Sequence, residues 1–270
     1  MRPIVTTTGE VTIEIGEIPI RFRAGNTSFL DLLTEHYAGF VRTSGRDAVC
    51  DLEIRLAPQG KISDQEEVRL QRNAGGWLLE RADLRAEMEP GMQRGTVYQS
   101  ENIYSTDTVL RLLHTLLLST EEGFLLHAAS AIRNGRAFVF AGPSGAGKTT
   151  MTRLAPADVI LLTDEISYLR KKNGVCHAFG TPFAGELARR GENVHAPLAA
   201  LYFLIQGSEN KTEPLPAVAA GAALLKNILF FAEDPVLVKR VFHAACDLVS
   251  QIPVYLLQFA PDARVWEMIA

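Results

Sequence analysis

Apolar and polar residues alternate near the start of the chain. VTIEI (residues 11–15) and IPIRFRA (18–24) each put every second side chain on one face, and Gly16-Glu17 between them predicts a hairpin. The period then changes. In SFLDLLTEHYAGFV (28–41), Phe29, Leu32, Leu33, His36, Tyr37 and Phe40 fall at helical spacing, with Ser28 in the N-cap position. DLEIRLA (51–57) reads as another strand, and VRLQR (68–72) and WLLER (77–81) flank NAGG as a second hairpin.

The leucine-rich run TDTVLRLLHTLLLST (106–120) is apolar on more than one face, which predicts a helix buried between two parts of the molecule. The boundary is placed there, giving a smaller α+β N-terminal domain over 1–105 and a second domain over 106–270. In the second part, FLLHAASAI (124–132), AFVFA (137–141) and DVILLTD (158–164) are continuous apolar runs, as expected of strands covered on both faces. LAALYFLI (198–205) and VYLLQFA (254–260) add strands, and helices are expected near 216–231 and 235–249. Arg170, Lys171 and Lys172 followed by Asn173-Gly174 predict a solvated hairpin turn. The fold class is α/β.

Composition narrows the choice of function. With 270 residues, 47% of them hydrophobic, the chain can bury one large core or two modest ones. Its 27 basic and 31 acidic residues leave a net charge of −4, and neither part has the basic excess that grips a nucleic-acid backbone, so nucleic acid is not an expected partner. Cys50, Cys176 and Cys246 lack CxxC spacing, which argues against a zinc site or disulfide framework and fits a reducing cytoplasm. MRPIVTTTGEVTIEIGE alternates where an export signal needs an apolar core, so none is expected. The longest charge-free apolar stretch, Leu215 to Leu225, falls short of the ~18–20 residues that cross a bilayer, and no membrane partner is expected.

One motif carries specific chemistry. AFVFA-GPSGAGKTT (137–150) fits G-x-x-x-x-G-K-[ST] directly after an apolar strand. A loop that wraps phosphates must turn backbone N–H groups inward, and Gly142, Gly145 and Gly147 permit dihedrals and close approach that side chains block. The expected nucleotide-binding set is Gly142, Pro143, Ser144, Gly145, Ala146, Gly147, Lys148, Thr149 and Thr150. A helix starting near Lys148 adds its positive end, Lys148 supplies a mobile charge for the β- and γ-phosphates, and the Thr149 hydroxyl is suited to Mg²⁺. The cofactors implied are ATP and Mg²⁺.

A second element follows closely. The strand of ADVILLTDE ends in Asp164 and Glu165, carboxylates that can hold Mg²⁺ or take a proton from an attacking hydroxyl, or can simply cap a strand end. Only 16 positions separate Lys148 from Asp164, so a short helix broken by Pro156 must lead almost at once into the acidic strand. No guanine-selecting NKxD sequence is present, which weakens a GTPase reading.

Taken in order, LLHAAS, GPSGAGKTT, LLTDE and TPFAGE…NVHAPLAALYFL resemble the catalytic domain of HPr serine kinase/phosphorylase, and more closely the shorter HPr-kinase-related proteins. The resemblance covers roughly residues 120–270. It implies a P-loop fold shared with phosphoenolpyruvate carboxykinase, transfer of the ATP γ-phosphate to a hydroxyl, and assembly into homo-oligomers. It further implies Asp164 as general base, Thr149 as metal ligand and Glu165, where the family usually has Asp, as metal or water ligand. His127 matches a histidine on the strand before the loop, where it could face the transferring phosphate, although a lone histidine in an apolar run is more often a core residue.

Glu186 is a further metal-ligand candidate in GTPFAGELARRGENVHAPL (180–198), and Arg189 and Arg190 could neutralise phosphate charge or bind an acidic substrate. ELARRGE also fits one solvated helical face. The N-terminal part has no visible match to the regulatory domain of the full-length kinases, so the acceptor is left open among a protein, a peptide and a small hydroxyl compound. Two rivals stand beside the kinase reading. One is a nucleotide-binding regulatory or assembly protein without transfer; the other is carboxykinase chemistry, for which the chain is short and its oxaloacetate ligands are not identifiable.

Overall fold

A computed structural model describes residues 9–43, 47–58 and 67–269. The opening MRPIVTTT, part of the segment expected to lack an export signal, lies outside them. The chain divides into two compact units: Met1–His114 with Phe231–Asp234, and Thr115–Phe230 with Pro235–Ala270.

The first unit is built on an eight-stranded sheet. Its elements are β1 (Gly9–Ile15), β2 (Ile18–Ala24), α1 (Thr27–His36), β3 (Val41–Arg42), β4 (Cys50–Leu56), β5 (Arg69–Asn73), β6 (Gly76–Arg81), β7 (Leu84–Met88) and β8 (Arg94–Gln99), with strand order β3-β1-β2-β4-β8-β7-β6-β5. Both expected hairpins form: β1 pairs antiparallel with β2 from Gly9↔Ala24 to Ile15↔Ile18, and β5 with β6. Val11, Ile13, Ile15, Ile20 and Phe22 bury one face.

The first helix differs from its sequence pattern. Asn26, not Ser28, caps α1, its side chain accepting from the Phe29 amide at 3.0 Å. The helix stops at His36, and Ala38–Phe40 forms a tighter 3₁₀ turn. With this frame Phe29, Leu30 and Leu33 face inward while Leu32 is 42% exposed. The strands β7 and β8 lie outside the segments read as strands: β7, LRAEM, alternates over only five residues, and β8, RGTVYQ, is mostly polar.

Helix α2 (Ile103–Thr120) begins three residues before the expected start, and Val109, Leu110, Leu112, Leu113, Leu116 and Leu118 are buried around it.

In the second unit a nine-stranded sheet is built around the long strand β9 (Gly123–Arg133), followed by β10 (Arg136–Ala141), α3 (Lys148–Arg153), β11 (Ile160–Thr163), β12 (Ile166–Lys172) and β13 (Val175–Phe179). The remaining elements are β14 (His195–Gln206), β15 (Lys211–Pro214), α4 (Ala217–Leu225), β16 (Ile228–Leu229), α5 (Pro235–Gln251), β17 (Val254–Phe259) and α6 (Val265–Ile269). Strands β10, β14 and β17 run parallel, whereas β9 is antiparallel to β10, β11, β12 and β16. Separate apolar clusters, one around Leu126, Val139, Leu201 and Leu248 and the other around Phe140, Met151, Tyr202 and Trp266, cover the central strands as their continuous apolar runs require.

The hairpin turn at Asn173-Gly174 is present between β12 and β13, with φ of 52° and 79° at the two residues. The helix expected to 231 ends at Leu225. Asn227 then bonds Leu224, and Ile228–Leu229 pairs with Leu126 and Leu125 of β9, whose open edge wins over continued helical spacing. Residues 186–192 are likewise not helical. Among the described residues, no helix is long and apolar enough to cross a membrane.

Candidate functional site

Strand β10 delivers the chain into the glycine loop. Gly142, Gly145 and Gly147 have φ of 156°, 79° and 109°, the left-handed half of the map that side chains avoid. A Cβ on Gly147 would lie 2.5 Å from the Phe259 ring, so β17 leaves no room for any other residue. The turn is closed by the Ala146 amide on the Pro143 carbonyl at 3.1 Å. Gln206, from the end of the parallel neighbour β14, donates through Nε2 to the Gly145 carbonyl at 2.7 Å. Pro143, Ser144 and Gly145 form the exposed rim, Ala146 is buried, and Thr149 and Thr150 are partly covered. Gly147 caps α3 without a side-chain bond, which leaves first-turn amides facing outward along the helix axis.

Lys148 follows immediately and is only 8% exposed. Its Nζ donates to the carbonyls of Gly142 (2.8 Å) and Pro143 (3.2 Å). Burial pulls the amine below its ordinary range, and the charges of Glu186 and Glu165 push it back up. His127, on β9 opposite Ile166, is half-buried; burial first, and Lys148 second, hold its imidazole toward the neutral form.

The acidic pair is fixed by the residue before it. Thr163 is fully buried, and its Oγ1 accepts from the amides of Glu165 (3.2 Å) and Ile166 (3.1 Å), setting the turn from β11 into β12. Asp164, 4% exposed, uses both carboxylate oxygens on the following loop: Oδ1 accepts from the Gly185 amide at 2.8 Å and Oδ2 from the Leu187 amide at 3.0 Å. Each oxygen keeps a further lone pair. Between those two anchored amides stands Glu186, whose Oε2 accepts from the Thr149 hydroxyl at 3.2 Å. Lys148, Thr149, His127, Asp164, Glu165 and Glu186 are therefore joined in one chain of bonds and field effects around the glycine loop.

The loop carrying Glu186 is tied at its base. Thr181 donates its amide to Leu162 O (3.0 Å) and accepts from Gly191 N (3.1 Å), while Glu192 N reaches Leu161 O at 2.9 Å. A Cβ on Gly191 would stand 1.7 Å from the Leu162 carbonyl. Past Glu186 the loop turns away. Arg189 lines a cavity beside the C-terminal end of α3, and Arg190 is exposed.

Among the described residues, no three His, Cys, Asp or Glu side chains gather as a metal-binding cluster. The Thr149 hydroxyl and the Glu186 and Glu165 carboxylates are hard oxygen donors, a set suited to Mg²⁺, which keeps several of its own waters. Sequence reasoning missed Gln206, Thr163 and the loop-closing Gly191. Of these, Thr163 had a local signal, a hydroxyl residue directly before an acidic turn.

Fold and site together define a mixed α/β protein with large sheets and a glycine loop whose lysine, hydroxyl and acids converge. The chain belongs to the family of the SynChlorMet cassette protein ScmC, whose model matches residues 99–270. A solved structure titled as the Hpr(Ser) kinase/phosphatase from Coxiella burnetii aligns with 47% of this chain and 92% of its own, at 12% identity and a TM-score of 0.25, a level that does not establish a shared fold. No curated protein matches the chain.

Proposed function

We infer that the second unit is an ATP- and Mg²⁺-dependent phosphotransferase acting on a hydroxyl, most simply a serine, of a protein, a peptide or a small molecule. One observation carries this reading: the loop that fits the phosphate-binding motif brings Lys148 and Thr149 together with Glu186, Glu165 and His127. Entering phosphates would draw Lys148 Nζ from the Gly142 and Pro143 carbonyls, which hold it inside the loop. Thr149, Glu186 and Glu165 would hold Mg²⁺, which when bound supplies charge neutralisation on the phosphates.

In the transfer step the acceptor oxygen bonds the γ-phosphorus as the bond to the β–γ bridging oxygen breaks, and ADP leaves with that oxygen. The acceptor proton goes to Asp164, fixed in orientation by the Gly185 and Leu187 amides. Cys50, Cys176 and Cys246 are all free thiols, in keeping with a cytoplasmic setting.

The test is transfer of labelled γ-phosphate to components of a source-cell extract, with Lys148→Ala as control. Labelling that requires Lys148 supports the assignment; labelling equal in both proteins overturns it. A second reading, a nucleotide-operated regulatory protein without an acceptor, is favoured by Asp164 spending both oxygens on the 185–187 segment. It predicts tight nucleotide binding with no labelled product.

A further inference from the structure

The last turn of α3 and the tip of the 181–194 loop share a cavity that the phosphotransferase reading does not use. It measures about 210 Å³, with Phe140, Val159 and Trp266 among its apolar walls. Arg153, from the end of α3, and Arg189, from the loop, both line it, and no Asp or Glu does. Neither guanidinium has an ion pair or hydrogen bond among the described residues, whereas nearby Arg133 donates to Asp158 and the Trp266 carbonyl.

We propose that this cavity is a binding site for a small organic anion, a carboxylate or phosphate group on a short apolar body. Two arginines without acidic competitors supply forked donors for such a headgroup. The aromatic and aliphatic walls take the apolar part. The volume lies below the roughly 300–1,000 Å³ of drug-sized pockets and so excludes a nucleotide. Arg189 stands three residues beyond Glu186, and an occupied cavity holds the same loop that reaches Thr149.

Calorimetric titration of the full chain with inorganic phosphate and, separately, with benzoate tests the site. Saturable binding of either probe is expected; phosphate alone identifies a phosphate ligand, and benzoate alone a carboxylate. Arg153→Ala and Arg189→Ala, both at exposed positions, should each weaken it about tenfold or more. Lys148→Ala should leave it unchanged, which separates this cavity from the glycine loop. No binding of either probe, or binding untouched in the Arg153→Ala/Arg189→Ala double variant, overturns the proposal. Binding lost in Lys148→Ala alone also overturns it, because the anion would then occupy the glycine loop.

Discussion

Surface ion pairs occur in both units, and the units differ in the charge that stands outside such pairs. On the first sheet, cations meet acids on the same or neighbouring strands or in the turn between them: Arg21 and Arg23 with Asp51, Arg55 with Glu53, Arg81 with Asp83, Arg85 with Glu80 and Glu87. Such ladders keep a sheet face in water and do little else. In the second unit Lys148 is buried against carbonyls with acids acting on it from nearby, and Arg153 and Arg189 meet in a cavity without acids. Paired exposed charge is explained by the fold. Desolvated or unmatched charge is not, and it is the kind of charge that functional sites concentrate.

Breaking the second kind of charge should have the largest effects. Asp164→Asn is expected to lower phosphate transfer by about 10²–10⁴-fold, the usual contribution of a general base, with nucleotide binding largely kept. If transfer and binding fell together, Asp164 would be only the anchor of Gly185 and Leu187. Lys148→Ala should reduce affinity for a fluorescent ATP analogue by about a hundredfold, since a charge-assisted contact inside a partly desolvated loop is lost. An unchanged affinity would remove the loop from the site.

Gly191→Ala tests the loop base. A methyl group cannot sit 1.7 Å from the Leu162 carbonyl, so the strand or the loop must move, at a cost of about 1–3 kcal/mol in urea unfolding. Nucleotide affinity should fall as well, because Glu186 reaches Thr149 from this loop. A smaller effect is expected from His127. Its folded pKa lies below its ordinary value of 6.5, so the unfolded chain binds a proton that the folded chain refuses. Stability is therefore full above that value and declines as pH falls through it, until the folded imidazole is itself protonated. His127→Gln should flatten this limb in thermal melts between about pH 7 and 5.

Much of this was legible in the chain itself, for identifiable reasons. Local signals carried the hairpins, the glycine loop and the start of α3, because turn chemistry and positive φ are properties of a few adjacent residues. β7 alternates over only five residues and β8 is mostly polar, so both gave a weak signal and their pairing is decided more by neighbouring strands than by their own pattern. In the site, residue types pointed to Lys148, Thr149, Asp164 and Glu186. That Asp164 spends its oxygens on the loop, and that Gly191 can only be glycine, depends on contacts between segments distant in sequence.

The smallest prediction is the one that sharpens the comparison. Arg85 lies 41% exposed at 3.0 Å from Glu80 and 2.8 Å from Glu87, two well-formed surface pairs. Arg85→Ala should nevertheless move the melting midpoint by only about 1–2 °C, since exposed pairs are worth little after screening and side-chain ordering. Nucleotide affinity should not change at all. A large loss of either would mean that the first sheet's ladder also serves a ligand, and that close pairing alone cannot separate structural charge from functional charge. A negligible effect leaves burial and mismatch, rather than proximity of opposite charges, as the property that distinguishes the two units.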